Sequence, residues 1–242
     1  MPDPLPPDST STDRNIEYSI ILPIYNEEES LEFLFAEILQ ALTPMRCSYE
    51  IIFINDGSTD RSLPILEEFW QRLPEIVKII SLPHKEGQTN ALRTGFESVQ
   101  GRVAITLDGD LQNDPADIPR LLAKMDQGYD CVCGWRQSRE DRLLKAFLSK
   151  LGNVLQRVLT GLKIHDISCT LRAYRRECLK DIKLEWEGQH RFIPLTLSRK
   201  GYKVGEIVSH HRKRRFGVSK YSHKRIFKVI IDFLKIVTAK GQ

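Results

Sequence analysis

The sequence predicts an α/β domain with a largely parallel sheet, on three observations. Short β-branched runs alternate with stretches of helical period from Tyr18 to Trp135. The strand–helix units recur at a length that suits right-handed crossovers. Three polar clusters, Pro23-Ile-Tyr25-Asn26-Glu27, Asn55-Asp56-Gly57 and Asp108-Gly-Asp110, each stand at the end of a predicted strand, the edge where ligands of such sheets collect.

In order along the chain, residues 18–22 form a β-branched run that stops at Pro23 and reads as the first strand. Asn26, followed by Glu27, Glu28 and Glu29, has the form of a helix N-cap with acids in the first turn. Leu31, Leu34, Phe35, Ile38 and Leu42 then keep helical spacing. Residues 49–54 are a second strand, and the turn at 55–60 leads into a helix over 60–72, where Pro64 is tolerated near the first turn. The alternation continues with a strand at 77–82, a helix at 88–98, a strand at 103–107, a helix at 115–127 and a strand at 129–135. The second half is less regular. It offers an amphipathic helix over 141–160 with Leu144, Phe147, Leu148, Leu151, Leu155 and Leu159 on one side, a strand at 170–175, a helix at 188–198 and a strand at 202–208.

The 242 residues suffice for one large domain, and 41% hydrophobic content with 12 prolines supports a substantial core. Neither internal repeat nor linker divides it, so the domain spans 16–212. The opening Pro- and Ser-rich run reads as a disordered tail over 1–15. The net charge of +4 hides an asymmetry, because residues 199–228 carry 11 Lys or Arg against Glu206 and leave −6 for the rest. Such a segment suits a surface that meets phosphate. The five cysteines, 47, 131, 133, 169 and 178, lack zinc-site spacing and read as reduced, buried thiols. No apolar h-region follows Met1, and no apolar stretch reaches the roughly 18 residues needed to span a bilayer.

The run Val103-Ala-Ile-Thr-Leu-Asp108-Gly-Asp110-Leu-Gln112 passes abruptly from apolar to acidic. Residues two apart on an extended chain face the same way, so Asp108 and Asp110 converge beyond a buried strand. With the Gln112 amide close by, they compose a hard-oxygen site for Mg²⁺ or Mn²⁺ with phosphate as co-ligand. An Asp-Gly-Asp turn is the alternative, since both residue types favour turns. Tyr25 can lie against a base, Glu27 can accept from a ribose or base, and Asp56 can accept from base N–H or sugar hydroxyls; each cluster by itself also describes an ordinary turn.

Together the clusters resemble glycosyltransferase family 2. The order is a first strand ending in Pro23-Ile-Tyr25-Asn26-Glu27, a second ending in Asn55-Asp56-Gly57-Ser58, and a later Asp108-Gly-Asp110. Gly134-Trp-Arg136 and Asp166-Ile-Ser168-Cys-Thr-Leu-Arg172 narrow the resemblance to the dolichol-phosphate mannose synthase and bacterial polyprenyl-phosphate glycosyltransferase group, over about residues 18–225. The resemblance implies a GT-A, Rossmann-like fold, with Pro23, Tyr25, Glu27 and Asp56 on the donor nucleoside. It places Asp108 on the ribose and metal, Asp110 and Gln112 on the metal, and Arg136 on phosphate. Lys145 and Ser149, four apart on one helical face, fit the acceptor side. Asp166, Ser168 and Arg172 are candidates for shaping the acceptor phosphate site, although Cys169 and Thr170 stand where the family usually has Gly. Arg191 and His190 follow as secondary site residues. The stretch from His210 to Tyr221 is implied to be a mobile basic loop, hinged at Gly217 and bringing Lys213 and Lys220 to the phosphates; adjacent His210 and His211 point to opposite faces, against a two-histidine metal site.

The implied reaction moves a hexose from a nucleotide diphosphate sugar of the GDP-mannose or UDP-glucose type to a polyprenyl monophosphate. The acceptor oxygen is already anionic, so no general base is required, and attack in line inverts the anomeric carbon. Asp110, Arg136 and Asp166 are the expected catalytic residues. Polysaccharide, protein or glycerolipid acceptors, and a binding module with a lapsed site, are the alternatives. Nucleic acid is not an expected partner, because no base-reading aromatics interleave the basic stretch. The expected setting is the cytoplasmic face of a membrane. There residues 213–242, a basic loop and an amphipathic helix at 223–237, meet the lipid surface through Lys224, Arg225, Lys228 and Lys235, alone or with a membrane-anchor protein.

Overall fold

The computed structural model describes residues 15–137 and 162–216, together with Asp232. Seven strands form one sheet: β1 (Tyr18–Ile24), β2 (Tyr49–Asn55), β3 (Val77–Ser81), β4 (Val103–Thr106), β5 (Cys131–Trp135), β6 (Arg172–Arg175) and β7 (Val204–Val208). Their order is β3-β2-β1-β4-β6-β5-β7. Neighbours are parallel except around β6, which runs antiparallel to both β4 and β5. Helices α1 (Leu31–Leu42), α2 (Ser62–Arg72) and α4 (Ile118–Met125) pack one face; α3 (Gln88–Glu97) and the helix Ile193–Arg199 pack the other.

Burial on both faces explains the unbroken apolar runs of β1 and β2. Ile20, Leu22 and Ile24 enter one core with Leu34, Phe35, Phe53 and Phe69, whereas Ile21, Ile52 and Ile54 enter the other with Ala91, Leu92 and Phe96. Gly95 lets α3 approach β1, since a Cβ there would lie 2.4 Å from Cγ2 of Ile21.

Several boundaries differ from the sequence expectation, each for a local reason. β1 does not stop at Pro23 but continues to Ile24, pairing Pro23 with Ile54. The Ile21 carbonyl accepts from Leu107 N and the Ile24 carbonyl from Asp56 N, so Pro23, two residues after Ile21, turns its missing N–H toward the side where β4 has already ended. Asn26 is not the N-cap of α1. It adopts φ +52°, accepts at Oδ1 from Thr59 N at 2.8 Å and ties the first loop to the second, while Ser30 immediately precedes the helix. The expected helices at 115–127 and 188–198 each begin as a 3₁₀ turn, Pro115–Asp117 and Gln189–Phe192, before α4 and Ile193–Arg199. The final strand starts at Val204, two residues later than expected.

Cys131, Cys133, Cys169 and Cys178 are buried free thiols as expected, but Cys47 is only partly covered. The start of the basic segment packs on the rest of the fold, since Phe216 stacks on Phe33 with ring centroids 5.5 Å apart and Arg214 pairs with Asp110. The tail over 1–14, the helix expected at 141–160 with Lys145 and Ser149, the hinge Gly217, Lys220 and the amphipathic helix at 223–237 lie outside the described residues, Asp232 excepted. Among the described residues no helix is long and apolar enough to cross a membrane.

Candidate active site

The strand order reverses direction between β1 and β4, and the loops that leave their carboxyl ends line the crevice between them. The reversal of β6 adds a third loop. Because Thr106 at the end of β4 pairs with Arg172 at the start of β6, the residues leading into β6 arrive at this same edge. Thus Asp166, Ser168 and Thr170 join residues from the carboxyl ends of β1, β2 and β4.

At the β1 end, the Glu27 N–H bonds Ser62 Oγ at 2.9 Å. The Glu27 side chain lies beside Gly109, where a Cβ would meet Glu27 Cγ at 3.4 Å and Ile24 Cδ1 at 2.9 Å. Gly109 is thus required by close approach, and Glu27 borders the Asp108–Asp110 pair. Tyr25 carries Lys85 Nζ 3.6 Å from its ring centroid, a cation–π contact on the surface expected to meet a base. Asp56 is nearly fully buried and accepts from Glu86 N at 2.7 Å and Gly87 N at 3.0 Å. Burial raises its pKa against those bonds. Its visible work is to clamp the loop that enters α3. Gly57, with φ +64°, fits beneath that loop, since a Cβ would fall 2.5 Å from the His84 carbonyl carbon.

The Asp108–Asp110 pair is held from three directions. Asp108 Oδ1 accepts from Gln88 Nε2 at 2.8 Å, and its Oδ2 accepts from Thr170 Oγ1. Burial, and next the Asp110 carboxylate, push the Asp108 carboxyl up to about 6, against the bonds from Thr170 and Gln88 and the charge of Arg136. Leu111 turns the chain at φ +61°, a conformation uncommon for a branched residue and here anchored by burial of its side chain. The turn lets Asp110 Oδ1 accept from Gln112 N at 3.1 Å. Asp110 Oδ2 receives Arg214 Nη2 at 2.5 Å.

On the opposite side, Arg136 forms a two-pronged pair with Asp166, Nε to Oδ2 at 2.7 Å and Nη2 to Oδ1 at 3.0 Å, and also donates to Ser168 Oγ at 2.8 Å. Burial opposes the charge on Arg136, but the Asp166 carboxylate outweighs it and raises the Arg136 pKa. Arg172 does not reach this cluster as a phosphate ligand. It is buried, and its guanidinium donates to the carbonyls of Ile167, His190 and Arg191 at 2.6, 2.8 and 3.2 Å. It shapes the site by fixing two loops.

His190 is also buried. Thr89 Oγ1 accepts from Gly188 N at 2.8 Å and is hydrogen-bonded to His190 Nδ1 at 2.6 Å, so the imidazole is tied to the start of α3. Arg191 is buried beside Asp232, both against Gly188.

The basic segment folds along the loop after Asp110. His211 bridges Asn113, Arg212 N bonds the Gln112 carbonyl at 2.8 Å, and the Arg212 guanidinium spans Glu37 and Asp114, each at 2.7 Å. Lys213 is exposed and lines a cavity of about 310 Å³ with Arg214 and Arg215. His210 pairs at Nδ1 with buried Asp117 rather than with His211.

Two enclosed carboxylates, one with a raised pKa and the other holding an arginine, make a locus with unbalanced negative charge. That donor set fits a hard divalent cation, which Asp108 and Asp110 would hold together with phosphate oxygens; the Gln112 amide nitrogen donates to the Arg212 carbonyl at 3.5 Å. Among the described residues no three His, Cys, Asp or Glu side chains group as a metal centre. The structure brings Glu27, Asp108, Asp110 and Gln112 together, and sets Arg136, Asp166 and Ser168 as a second cluster whose charge reaches Asp108. Sequence reasoning gave no role to Gln88, to Asn113, which directly follows Gln112, or to Thr170, which lies within the Asp166–Arg172 motif, and did not single out Arg214 from its basic neighbours.

A model of glycosyl transferase family 2 matches residues 19–183. The undecaprenyl-phosphate 4-deoxy-4-formamido-L-arabinose transferase of Shewanella sediminis (strain HAW-EB3) is 41% identical over 226 residues, covering 93% of this chain and 68% of that protein. The dodecaprenyl-phosphate galacturonate synthase of Rhizobium johnstonii is 37% identical over 228 residues, covering 93% and 67%. Glucosyl-3-phosphoglycerate synthase from Mycobacterium tuberculosis, solved with Mn²⁺, uridine diphosphate and phosphoglyceric acid, superposes with a TM-score of 0.66 at 18% identity, over 93% of this chain and 80% of that one.

Proposed function

Since this chain belongs to glycosyl transferase family 2, with the GT-A fold of that family, we propose that it transfers a glycosyl group from a nucleotide diphosphate sugar to a polyprenyl monophosphate. The observation that carries this reading is 41% identity across 93% of the chain to an enzyme named for an undecaprenyl-phosphate acceptor. The geometry supports it, because the described residues of the crevice offer carboxylates for a cation and arginines for phosphate.

In the proposed reaction the donor nucleoside lies along Pro23, Tyr25, Glu27 and Asp56, with its diphosphate at Asp108, Asp110 and Gln112. A Mg²⁺ or Mn²⁺ ion held there supplies charge neutralisation for the departing diphosphate. The acceptor phosphate oxygen attacks the anomeric carbon from the face opposite the leaving group. One C–O bond forms, the C–O bond to the diphosphate breaks with its electron pair, and configuration inverts. No proton has to move. Arg136, oriented by Asp166 and Ser168, counters repulsion between the two phosphates; Lys145, Ser149, Lys213 and Lys220 complete the acceptor and donor phosphate sites. Catalysis is thus placement and fixed charge. His190 and Arg191 support the loop facing α3. The transferase domain spans 16–212, the basic segment beyond it closes the phosphate side, and the enzyme works at the cytoplasmic face of a membrane, where its lipid acceptor resides.

The test is a transfer assay with a short polyprenyl phosphate and a panel of nucleotide sugars. The panel holds GDP-mannose, UDP-glucose and nucleotide-linked forms of the sugars in the relatives' names. A glycosylated lipid phosphate that disappears with Asp110→Asn, in a variant whose circular dichroism is unchanged, supports the reading. Transfer to a polysaccharide, protein or glycerolipid but never to lipid phosphate overturns it.

A further inference from the structure

The Asp108 carboxylate is the meeting point of three distant chain segments. Gln88, the first residue of α3, donates to Oδ1 at 2.8 Å, and Thr170, from the loop before β6, donates to Oδ2. Thr170 is itself constrained twice. Its carbonyl accepts from Thr106 Oγ1 at 2.6 Å, and its hydroxyl accepts from Asn113 Nδ2 at 3.1 Å.

The direction of this chain of bonds is fixed by chemistry. An ionised carboxylate only accepts, so the single hydroxyl proton of Thr170 points at Asp108. Asn113 must then present its NH₂ group to Thr170, and its carbonyl oxygen is left toward Cys169 Sγ at 4.0 Å. Asn113 is buried, and its backbone bridges His211 of the basic segment. One donor thus sits on each oxygen of Asp108, and neither donor belongs to the Asp108–Asp110 segment.

We propose that Thr170 and Gln88 are positioning residues that fix the rotamer of Asp108 and thereby set the affinity of the cation and donor diphosphate. The proposal rests on the reading of Asp108 and Asp110 as the cation site. A carboxylate with a bonded neighbour on each oxygen is already oriented before ligand arrives, and each remaining lone pair has a defined direction. Removing such a support from a ligand side chain commonly costs about 10- to 100-fold in metal affinity. Thr170 also carries the effect across the molecule, since it hangs from the loop that holds Asp166 and Ser168.

The experiment measures free Mn²⁺ by electron paramagnetic resonance during titration of the full chain, with UDP and in parallel with GDP. Thr170→Val and Gln88→Met are each expected to weaken Mn²⁺ retention by about 10-fold or more, and Thr170→Ser to bind close to the wild-type value. Thermal unfolding without metal is recorded for every variant. Gln88→Met removes a part-exposed side chain at a helix start, so it remains informative if Thr170→Val fails to fold. Unchanged Mn²⁺ affinity in a folded Thr170→Val or Gln88→Met, with only a lowered melting temperature, overturns the positioning role. A wild-type chain that retains no Mn²⁺ with either diphosphate overturns the cation site itself, a distinct outcome.

Discussion

Arg214 reaches back 104 residues to set Nη2 2.5 Å from Oδ2 of Asp110, with both side chains mostly shielded from solvent. A guanidinium therefore sits on the same carboxylate that the proposed cation requires. Arg214→Gln should lower unfolding free energy by about 1–3 kcal/mol in EDTA, from loss of a charged hydrogen bond in a largely enclosed pair. The same variant should lose less when Mn²⁺ and a nucleoside diphosphate are present. Urea denaturation with and without those ligands measures the difference.

The Arg136–Asp166 pair is a two-pronged contact, and lysine cannot reproduce it. In a double-mutant cycle of Arg136→Lys and Asp166→Asn, the coupling energy should exceed about 1 kcal/mol. High salt should reduce it little, because the pair is enclosed. Additive effects, read from urea midpoints, would show that the two residues act independently.

Burial and the Asp110 carboxylate raise the Asp108 carboxyl from 3.8 to about 6. Between those values the folded protein keeps a proton that the unfolded chain has released. This group therefore adds stability as pH falls through about 6 toward 3.8, and the contribution is lost as pH rises through about 6. Melting temperature in EDTA, scanned across that window, should carry this component, and Asp108→Asn should remove it. Identical pH slopes for the two proteins would contradict the assignment.

Gly95→Ala should destabilise the chain by about 1–2 kcal/mol. The gain in helix propensity is outweighed by overlap with Ile21, whose Cγ2 would stand 2.4 Å from the new methyl group. Combining it with Ile21→Ala should cost less than the sum of the two, measured by chemical denaturation.

The donor half of the fold was legible because strands buried on both faces write themselves as unbroken apolar runs, and their ends as clustered acids and glycines. Asp108, Asp110 and Glu27 follow from that pattern. How Arg172 shapes the site was not legible, because an arginine in a polar motif looks the same whether it faces substrate or carbonyls; burial and its carbonyl partners distinguish the two. Asn26 likewise resembles a helix cap in sequence, yet its partner, Thr59, lies 33 residues away. The reversed direction of β6 was not readable either, since four residues of strand carry no arrow. Thr170 became visible only through that reversal, which sets it over Asp108.

The reversed strand also bears on how the chain is made. Among the described residues β5 pairs with β6 and β7, and β4 meets β6 through residues that lie about seventy positions later. While the chain emerges from the ribosome, the β3-β2-β1-β4 half has its components long before residues 172–175 exist. At roughly 5–20 residues per second, the edge of β4 stays unpaired for about three to thirteen seconds. An open strand edge of that duration is where a nascent chain sticks to its neighbours. The strand that completes the catalytic edge is therefore also the one whose late arrival closes the period of greatest risk during synthesis.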